Sequence, residues 1–301
     1  MSTAAAGAGA PPPDPSRTGG TPLRIGVALK WVDLRPEVDP LSGVVREDGH
    51  SMGCSPADRA ALEGALVLAD RWSAEVVVVC CGDAGAGALL RDALAVGATR
   101  AVRIDLGPGA PSEDVAAALA TVFAGVDLVC CGDYSPDRGS GSVPAYLAAH
   151  LDAAQALGLV QITPTDERGA LTAIRRLDGG RREVLAVHAP AVVSVEGSSA
   201  ELRRAGLAAV LAAQHAIITV VPAPGSGSDP VRARVRLARR SPYRPRARAL
   251  PPPSFDLDVR GRILALTGAL VERTPPRTVH ADASEAADLV LEQLRAWGEI
   301  E

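Results

Sequence analysis

The feature that most constrains the fold is an alternation, between about residues 23 and 159, of short apolar runs with longer amphipathic stretches. Such runs are typical of buried strands, and the longer stretches carry alanine and leucine at helical spacing. The predicted strands are residues 23–30, 75–81, 101–105 and 126–131, and the predicted helices are residues 56–71, 85–96, 112–124 and 143–151. Because right-handed crossovers join such elements, the sequence predicts an α/β fold with a doubly wound parallel sheet, Rossmann-like and similar to the adenine-nucleotide α-hydrolases.

The pattern changes after residue 161. Two alternating runs, residues 172–177 and 183–188, flank Asp178-Gly179-Gly180 and predict a β-hairpin. A further apolar run follows at residues 191–195, and residues 201–213 return to helical spacing.

Both ends of the chain differ in composition from its middle. Residues 1–21, rich in alanine, glycine and proline, are predicted to form a disordered leader without the pattern of a secretory signal. From residue 222 proline, glycine, serine and arginine dominate, with positive charge concentrated between Arg232 and Arg248. We expect one α/β domain at residues 22–221 and, at residues 222–301, an extended C-terminal arm that ends in a short helix at residues 283–297.

Two turns of matching sequence carry the strongest functional signal. Cys80-Cys81-Gly82-Asp83 and Cys130-Cys131-Gly132-Asp133 each follow a predicted strand and precede a predicted helix. In doubly wound sheets ligands bind at the carboxyl ends of the strands, where the strand order reverses. The two turns are therefore predicted to line one nucleotide pocket.

The second turn runs on through Tyr134-Ser135 into residues 136–142, which are rich in glycine and serine and lead into a predicted helix. We call residues 135–142 the glycine-serine loop. Backbone N–H groups converge readily on an anion in such a loop, and the helix N-terminus favours negative charge. This loop is a candidate phosphate site, with a plain flexible connector as the alternative.

Several kinds of chemistry are excluded or disfavoured. Neither a G-x-G-x-x-G motif nor a P-loop follows the first strand, whose end carries Lys30, the only lysine of the chain. The five histidines are scattered and accompany no nucleophile motif, so no catalytic residue is predicted. Adjacent cysteines on a strand point to opposite faces, which disfavours a metal site and favours buried, reduced thiols.

Charge and hydropathy argue against two kinds of partner, nucleic acids and the membrane interior. A net charge of −4 and 3% aromatic residues argue against nucleic-acid binding. The apolar runs are far shorter than the roughly 20 residues of a membrane span. No membrane span is predicted, and we expect a cytoplasmic protein.

Several stretches, in order, resemble the β subunit of electron transfer flavoproteins between about residues 23 and 220. Residues 23–33 look like the family's opening strand, and Ser55-Pro56-Ala57-Asp58 like its Asn-Pro-Phe-Asp type turn. Residues 90–98 resemble the family's second helix with its Arg-x-Ala-Leu-Ala-Met-Gly-Ala ending. Asp178-Gly179-Gly180 before residues 190–193 resembles its signature hairpin and the strand that follows.

The resemblance implies that the chain binds AMP, or a second FAD as in bifurcating members, and shares an electron-carrying FAD held mainly by an α subunit. Carried over by position, and with Gly82 and Asp83 added from the matching turns, the expected cofactor-binding residues are Ala28, Ser55, Pro56, Asp58, Cys81, Gly82, Asp83, Gly132, Asp133, Tyr134, Ser135, Asp137, Arg138, Gly139, Ser140, Gly141, Ser142 and Val143. The family's acidic run and Asn-Gln-Thr are replaced in residues 137–143, which leaves backbone donors and Arg138 to hold a phosphate.

The resemblance also implies a heterodimer with an α-type subunit and a dehydrogenase as electron donor. The expected partner-docking residues are Ser199, Glu201, Leu202 and Arg203, with Ser199 in place of the family's leucine anchor. Loss of an apolar anchor predicts a donor other than the usual acyl-CoA dehydrogenases. The arm after residue 222 and the final helix look similar to the mycofactocin-associated branch, and we expect the arm to wrap the α subunit.

Two other interpretations of the function remain open. The same architecture supports nucleotide-binding α-hydrolase-like enzymes and stress-type nucleotide sensors without a redox role. The enzymes are expected to carry Ser-Gly-Gly-x-Asp after the first strand, where this chain has Lys30-Trp31-Val32-Asp33.

Overall fold

The structure is a computed structural model, and it describes residues 22–46, 48–107, 109–224, 252–267, 278–296 and 300. The predicted leader, Arg232 to Arg248 and Trp297 lie outside these ranges. The chain divides into two compact units, residues 1–244 and 245–301. Among the described residues, no helix combines the length and the apolar composition needed to cross a membrane.

Within the part of the chain that the structure describes, the first unit contains thirteen strands and five α-helices. The strands are β1 (Arg24–Leu29), β2 (Trp31–Asp33), β3 (Glu37–Val38), β4 (Val45–Arg46), β5 (Met52–Cys54), β6 (Glu75–Cys81), β7 (Arg100–Asp105), β8 (Leu128–Gly132), β9 (Ala154–Pro164), β10 (Ala170–Arg176), β11 (Arg182–His188), β12 (Ala191–Val195) and β13 (Thr219–Pro222). The helices are α1 (Pro56–Trp72), α2 (Ala86–Ala95), α3 (Ser112–Phe123), α4 (Val143–Leu151) and α5 (Leu207–Gln214).

The second unit contributes two helices, α6 (Val259–Thr267) and α7 (Ala283–Ala296). Asp258 Oδ1 accepts the N–H of Gly261 in the first turn of α6, and Asp282 Oδ1 accepts the N–H groups of Ser284 and Glu285 at the start of α7. Each carboxylate thus satisfies backbone donors that have no partner inside the helix and lies at the positive end of its dipole.

Nine strands form one sheet in the order β11-β10-β9-β12-β8-β1-β6-β7-β13. From β13 to β9 all neighbours are parallel, whereas β10 pairs antiparallel with both β9 and β11. The chain lays β6 and β7 on one side of β1 and then returns to lay β8 on its other side. The strand order therefore reverses between β1 and β8. In open α/β sheets the carboxyl ends of the two strands at such a point border a crevice in which ligands bind, and we call this place the crevice.

Each face of the sheet has its own apolar core. Helices α1 and α2 cover one face, where Val27, Val78 and Cys130 are buried, and helices α3 and α4 cover the other, where Val79 and Cys131 are buried. Neighbouring residues of one strand enter different cores because strand side chains alternate between faces. The adjacent cysteines follow this rule, and all five thiols are free.

The predicted doubly wound α/β fold and the hairpin of β10 and β11 are confirmed, as is the final helix as far as Ala296. The predicted helix over residues 201–213 is wrong in its first half. Residues 201–206 form no helix, and α5 begins only after Gly206. In this non-helical segment the backbone N–H and the guanidinium of Arg203 both bind Glu63 of α1.

Candidate functional site

Asp58 joins the elements that border the crevice between β1 and β8. This residue lies in the first turn of α1, where Ser55 Oγ caps the helix by accepting the N–H of Asp58 at 3.0 Å. The Asp58 carboxylate accepts the N–H of Lys30 at 3.1 Å and is also hydrogen-bonded by the N–H of Gly132. One buried carboxylate therefore joins the end of β1, the end of β8 and the start of α1.

Burial also controls the charge of this carboxylate. Desolvation raises the pKa of Asp58 to about 7 from its ordinary 3.8, against the opposing effects of the hydrogen bonds from Lys30, Ser55 and Gly132. Asp58 accordingly titrates near neutral pH at the base of the crevice.

The Lys30 side chain crosses the mouth of the crevice. Its Nζ lies 2.6 Å from both carboxylate oxygens of Asp137 and 3.2 Å from Ser135 Oγ. Ser135 Oγ in turn donates to Asp137 Oδ1 at 2.7 Å. Partial burial by itself would raise the pKa of Asp137, but the hydrogen bonds from Lys30 and Ser135 hold it below its ordinary value. The end of β1 is thereby tied to the loop that follows β8.

The glycine-serine loop, residues 135–142, has a tightly turned backbone that depends on two glycines. Gly139 and Gly141 are left-handed, with φ values of 62° and 58°, and the loop leads directly into α4. A Cβ on Gly141 would lie 2.7 Å from the carbonyl oxygen of Asp133, so the turn is too tight for a side chain there. In proteins generally, left-handed residues within a turn that leads into a helix can direct successive N–H groups into a concavity that binds a phosphate.

Arg138, which the resemblance offered as a phosphate contact, lies against a different part of the chain. Its guanidinium donates to the carbonyl oxygens of Gly109 and Ala110, just before α3. Arg138 thereby fastens the glycine-serine loop to the segment that precedes α3.

The first Cys-Cys-Gly-Asp turn lies on the other side of β1. Asp83 Oδ1 accepts the N–H of Gly85, and a Cβ on Gly85 would lie 2.9 Å from Trp31 Nε1, so the indole packs against this turn. Ala28 and Cys81 both face the core under α3 and α4. Burial raises the pKa of the Cys81 thiol to about 12, which suits a wall of the crevice better than a nucleophile.

The four predicted docking residues differ in what they contact. Glu201 is exposed, whereas Ser199 lines a cavity of about 200 Å³ against α1, together with Ile162. Leu202 packs against the core. The Arg203 guanidinium binds Glu63 through its Nε and Nη2 and Asp70 through its Nη1, all at 2.9–3.1 Å.

The site also contains a residue to which sequence reasoning gave no binding role. Lys30 ends the first predicted strand and completes neither a P-loop nor a Ser-Gly-Gly-x-Asp motif, yet its side chain reaches the glycine-serine loop. The signal that could have found it is its position as the single lysine of the chain, at the carboxyl end of the central strand.

Comparison with known proteins decides between the readings left open by the sequence. A family model described as the electron transfer flavoprotein domain matches residues 42–225, more than half of the chain and including the glycine-serine loop. The chain belongs to the electron transfer flavoprotein family.

The relatives include electron transfer flavoprotein β subunits and proteins named FixA. Electron transfer flavoprotein subunit beta of Homo sapiens is 30% identical over 217 residues, which cover 69% of this chain and 84% of the human one. The subunit beta of Syntrophomonas wolfei is 31% identical over 200 residues, covering 64% and 77%. Protein FixA of Azorhizobium caulinodans is 29% identical over 220 residues, covering 69% and 78%. The predicted assignment to the β-type electron transfer flavoproteins is confirmed.

One prediction concerns the buried carboxylate of this electron transfer flavoprotein. Between about pH 4 and 7 the folded chain holds a proton on Asp58 that the unfolded chain has lost, so the free energy of unfolding should fall as the pH rises through that window. The stabilisation that comes from the raised pKa of Asp58 is complete below about pH 4 and lost above about pH 7. Between these values the free energy of unfolding should fall by up to about 1.4 kcal/mol per pH unit. Asp58→Asn should lack this slope.

Urea unfolding of the wild-type protein and of Asp58→Asn at pH 5, 6, 7 and 8 measures this dependence of the free energy of unfolding on pH. Asp166→Asn serves as a matched control, since that carboxylate is exposed. A constant difference in stability between wild type and Asp58→Asn across this range would show that Asp58 is ionised throughout.

Proposed function

We propose that the chain is the β-type subunit of a two-subunit electron transfer flavoprotein, which carries electrons from a dehydrogenase to an acceptor through an FAD held mainly by an α-type partner. The family match over residues 42–225 is the observation that carries this proposal. The FAD supplies the electron-carrying chemistry when it is bound. The protein chains bind and orient it and control access to it.

We further propose that the crevice between β1 and β8 binds an adenine nucleotide, either AMP or a second FAD. The left-handed Gly139 and Gly141 and the N-terminus of α4 fit a phosphate, and the crevice lies where the strand order reverses. Gly82, Asp83 and Cys81 would form the wall on the side of β6. Asp58 would act from beneath, by fixing the ends of both strands.

Co-expression with a candidate α-type subunit tests both proposals. We expect a heterodimer that copurifies with visible flavin absorbance and that releases nucleotide on denaturation. One flavin with AMP would identify AMP as the ligand of the crevice, and two flavins would identify a second FAD. A stable heterodimer without flavin would contradict the electron-carrier role, and one flavin without any other nucleotide would contradict the crevice site.

The proposed docking surface for the electron donor is the segment with Ser199, Glu201, Leu202 and Arg203. Glu201 is exposed, whereas Arg203 binds the Glu63 side chain, which is only 13% exposed. Arg203→Met should therefore lower the free energy of unfolding by about 1–2 kcal/mol, because the largely buried carboxylate of Glu63 loses its partner. Glu201→Ala should change it by less than about 0.5 kcal/mol.

This contrast makes Glu201→Ala the informative variant for docking. If the segment binds the donor, Glu201→Ala should slow flavin reduction by the dehydrogenase while the urea unfolding curve stays the same. An unchanged rate of reduction across a range of donor concentrations would count against docking through Glu201.

A further inference from the structure

We propose that Lys30 is the phosphate-binding side chain of the crevice and that Asp137 is the counter-ion which an incoming phosphate displaces. This inference rests on the proposed adenine-nucleotide site and adds to it a side chain that holds the phosphate and a side chain that competes for the same cation.

The backbone of Lys30 is fixed while its head group can move. Its N–H is held by the buried carboxylate of Asp58 at 3.1 Å, at the end of the central strand β1. Beyond that point the side chain is 39% exposed and its partner Asp137 is 35% exposed, so solvent and ligands reach the pair. A flexible ammonium on a fixed backbone can exchange one oxygen partner for another without movement of the sheet.

The partners of Lys30 mark the place where an anion is held. Nζ is bound by both oxygens of Asp137 and by Ser135 Oγ, and these two residues open the glycine-serine loop. The same loop contains the left-handed Gly139 and Gly141 and ends at the N-terminus of α4. The Asp137 carboxylate therefore supplies negative charge within the loop whose backbone suits a phosphate.

Charge favours the exchange. Arg138, the other cation of this loop, is engaged by the carbonyl oxygens of Gly109 and Ala110. Lys30 is thus the cation whose partner, a single-charged carboxylate, can turn away into solvent. A nucleotide monophosphate carries about two negative charges at neutral pH and offers three acceptor oxygens, so it competes well against one carboxylate.

Two substitutions with opposite expected effects test the inference. Lys30→Met should weaken AMP binding about 10- to 100-fold, the range for losing one charge-assisted hydrogen bond to phosphate. Asp137→Asn should strengthen AMP binding about 3- to 10-fold, because the amide competes less well for the ammonium. Neither substitution should change the affinity for adenosine, which lacks the phosphate.

The measurement is isothermal titration of the full-length protein, freed of bound nucleotide, with AMP and with adenosine. Arg71→Met is the matched control: it removes one positive charge from the opposite end of α1 and should change neither affinity. Retained adenosine binding and an unchanged far-ultraviolet circular dichroism spectrum show that each variant is folded. A gain of affinity in Asp137→Asn cannot arise from misfolding.

Different results overturn different statements. Unchanged AMP affinity in Lys30→Met overturns the inference while leaving the nucleotide site in place. Weaker AMP binding in Asp137→Asn also overturns it, since Asp137 would then contact the nucleotide directly. If the wild-type protein bound neither AMP nor adenosine, the proposed nucleotide site would fail, and this inference with it.

Discussion

Gly132→Ala is expected to lower the free energy of unfolding by about 3 kcal/mol, the upper part of the range for overpacking a tight interior. A Cβ at this position would lie 2.5 Å from Asp58 Oδ1, 2.8 Å from the Asp58 backbone nitrogen and 2.9 Å from the carbonyl carbon of Ala57. Two of these three atoms belong to the backbone of α1. The clash therefore cannot be relieved by a change of rotamer and must move α1 away from the end of β8.

The matching turn supplies the control. Gly82 occupies the same place in the first Cys-Cys-Gly-Asp sequence, but its nearest neighbour for a Cβ is the Ala86 Cβ at 3.4 Å, an ordinary contact. Gly82→Ala should therefore cost less than about 1 kcal/mol. Urea unfolding of both variants gives the comparison. Equal costs would mean that the approach of α1 to the end of β8 is not what requires a glycine at residue 132.

The second large effect is expected at the packing of β1 against α3. Phe123 is fully buried, and a Cβ on Gly26 would lie 2.6 Å from its Cε1 atom. Phe123→Ala should cost about 3–5 kcal/mol, because it leaves a ring-sized cavity in the core. Gly26→Ala should cost about 1–3 kcal/mol, because it drives a methyl group into the ring.

Double variants distinguish the contact between residue 26 and the Phe123 ring from a nonspecific loss of stability. Phe123→Leu removes the ring edge that faces residue 26, so the double variant Gly26→Ala/Phe123→Leu should be more stable than the sum of its single changes by about 1 kcal/mol or more. Gly26→Ala combined with Leu68→Ala, which is buried in the core on the other face of the sheet, should be additive. Additivity in the first pair would refute the proposed contact.

The sequence predicted those parts of the molecule that local signals define. Helix α4 and strand β12 begin and end at the predicted residues, because each is bounded by glycine, proline or a turn that any short window of sequence displays. The central sheet also followed from the alternation of apolar runs. Edge strand β13, which pairs with β7, was missed although residues 216–221 form an apolar, largely β-branched run of the kind that predicts a strand.

The features that the sequence failed to predict depend on contacts between distant residues. Lys30 and Asp137 are 107 positions apart, and Arg203 and Glu63 are 140 positions apart. The first contact brings Lys30 into the site, and the second fastens the segment of residues 201–206 to α1. Local sequence propensity predicts neither of these two contacts, because each forms only when the fold brings distant parts of the chain together.

The paired cysteines give the molecule an internal set of reporters. Cys80 and Cys130 lie in the core under α1 and α2, and Cys131 lies in the core under α3 and α4. Burial raises the pKa of Cys80 and of Cys130 to about 12, so these thiols react with alkylating reagents only when their layer opens. The order in which the thiols are alkylated, read by mass spectrometry, would therefore time the loosening of each layer separately, in the wild-type protein and without an introduced label.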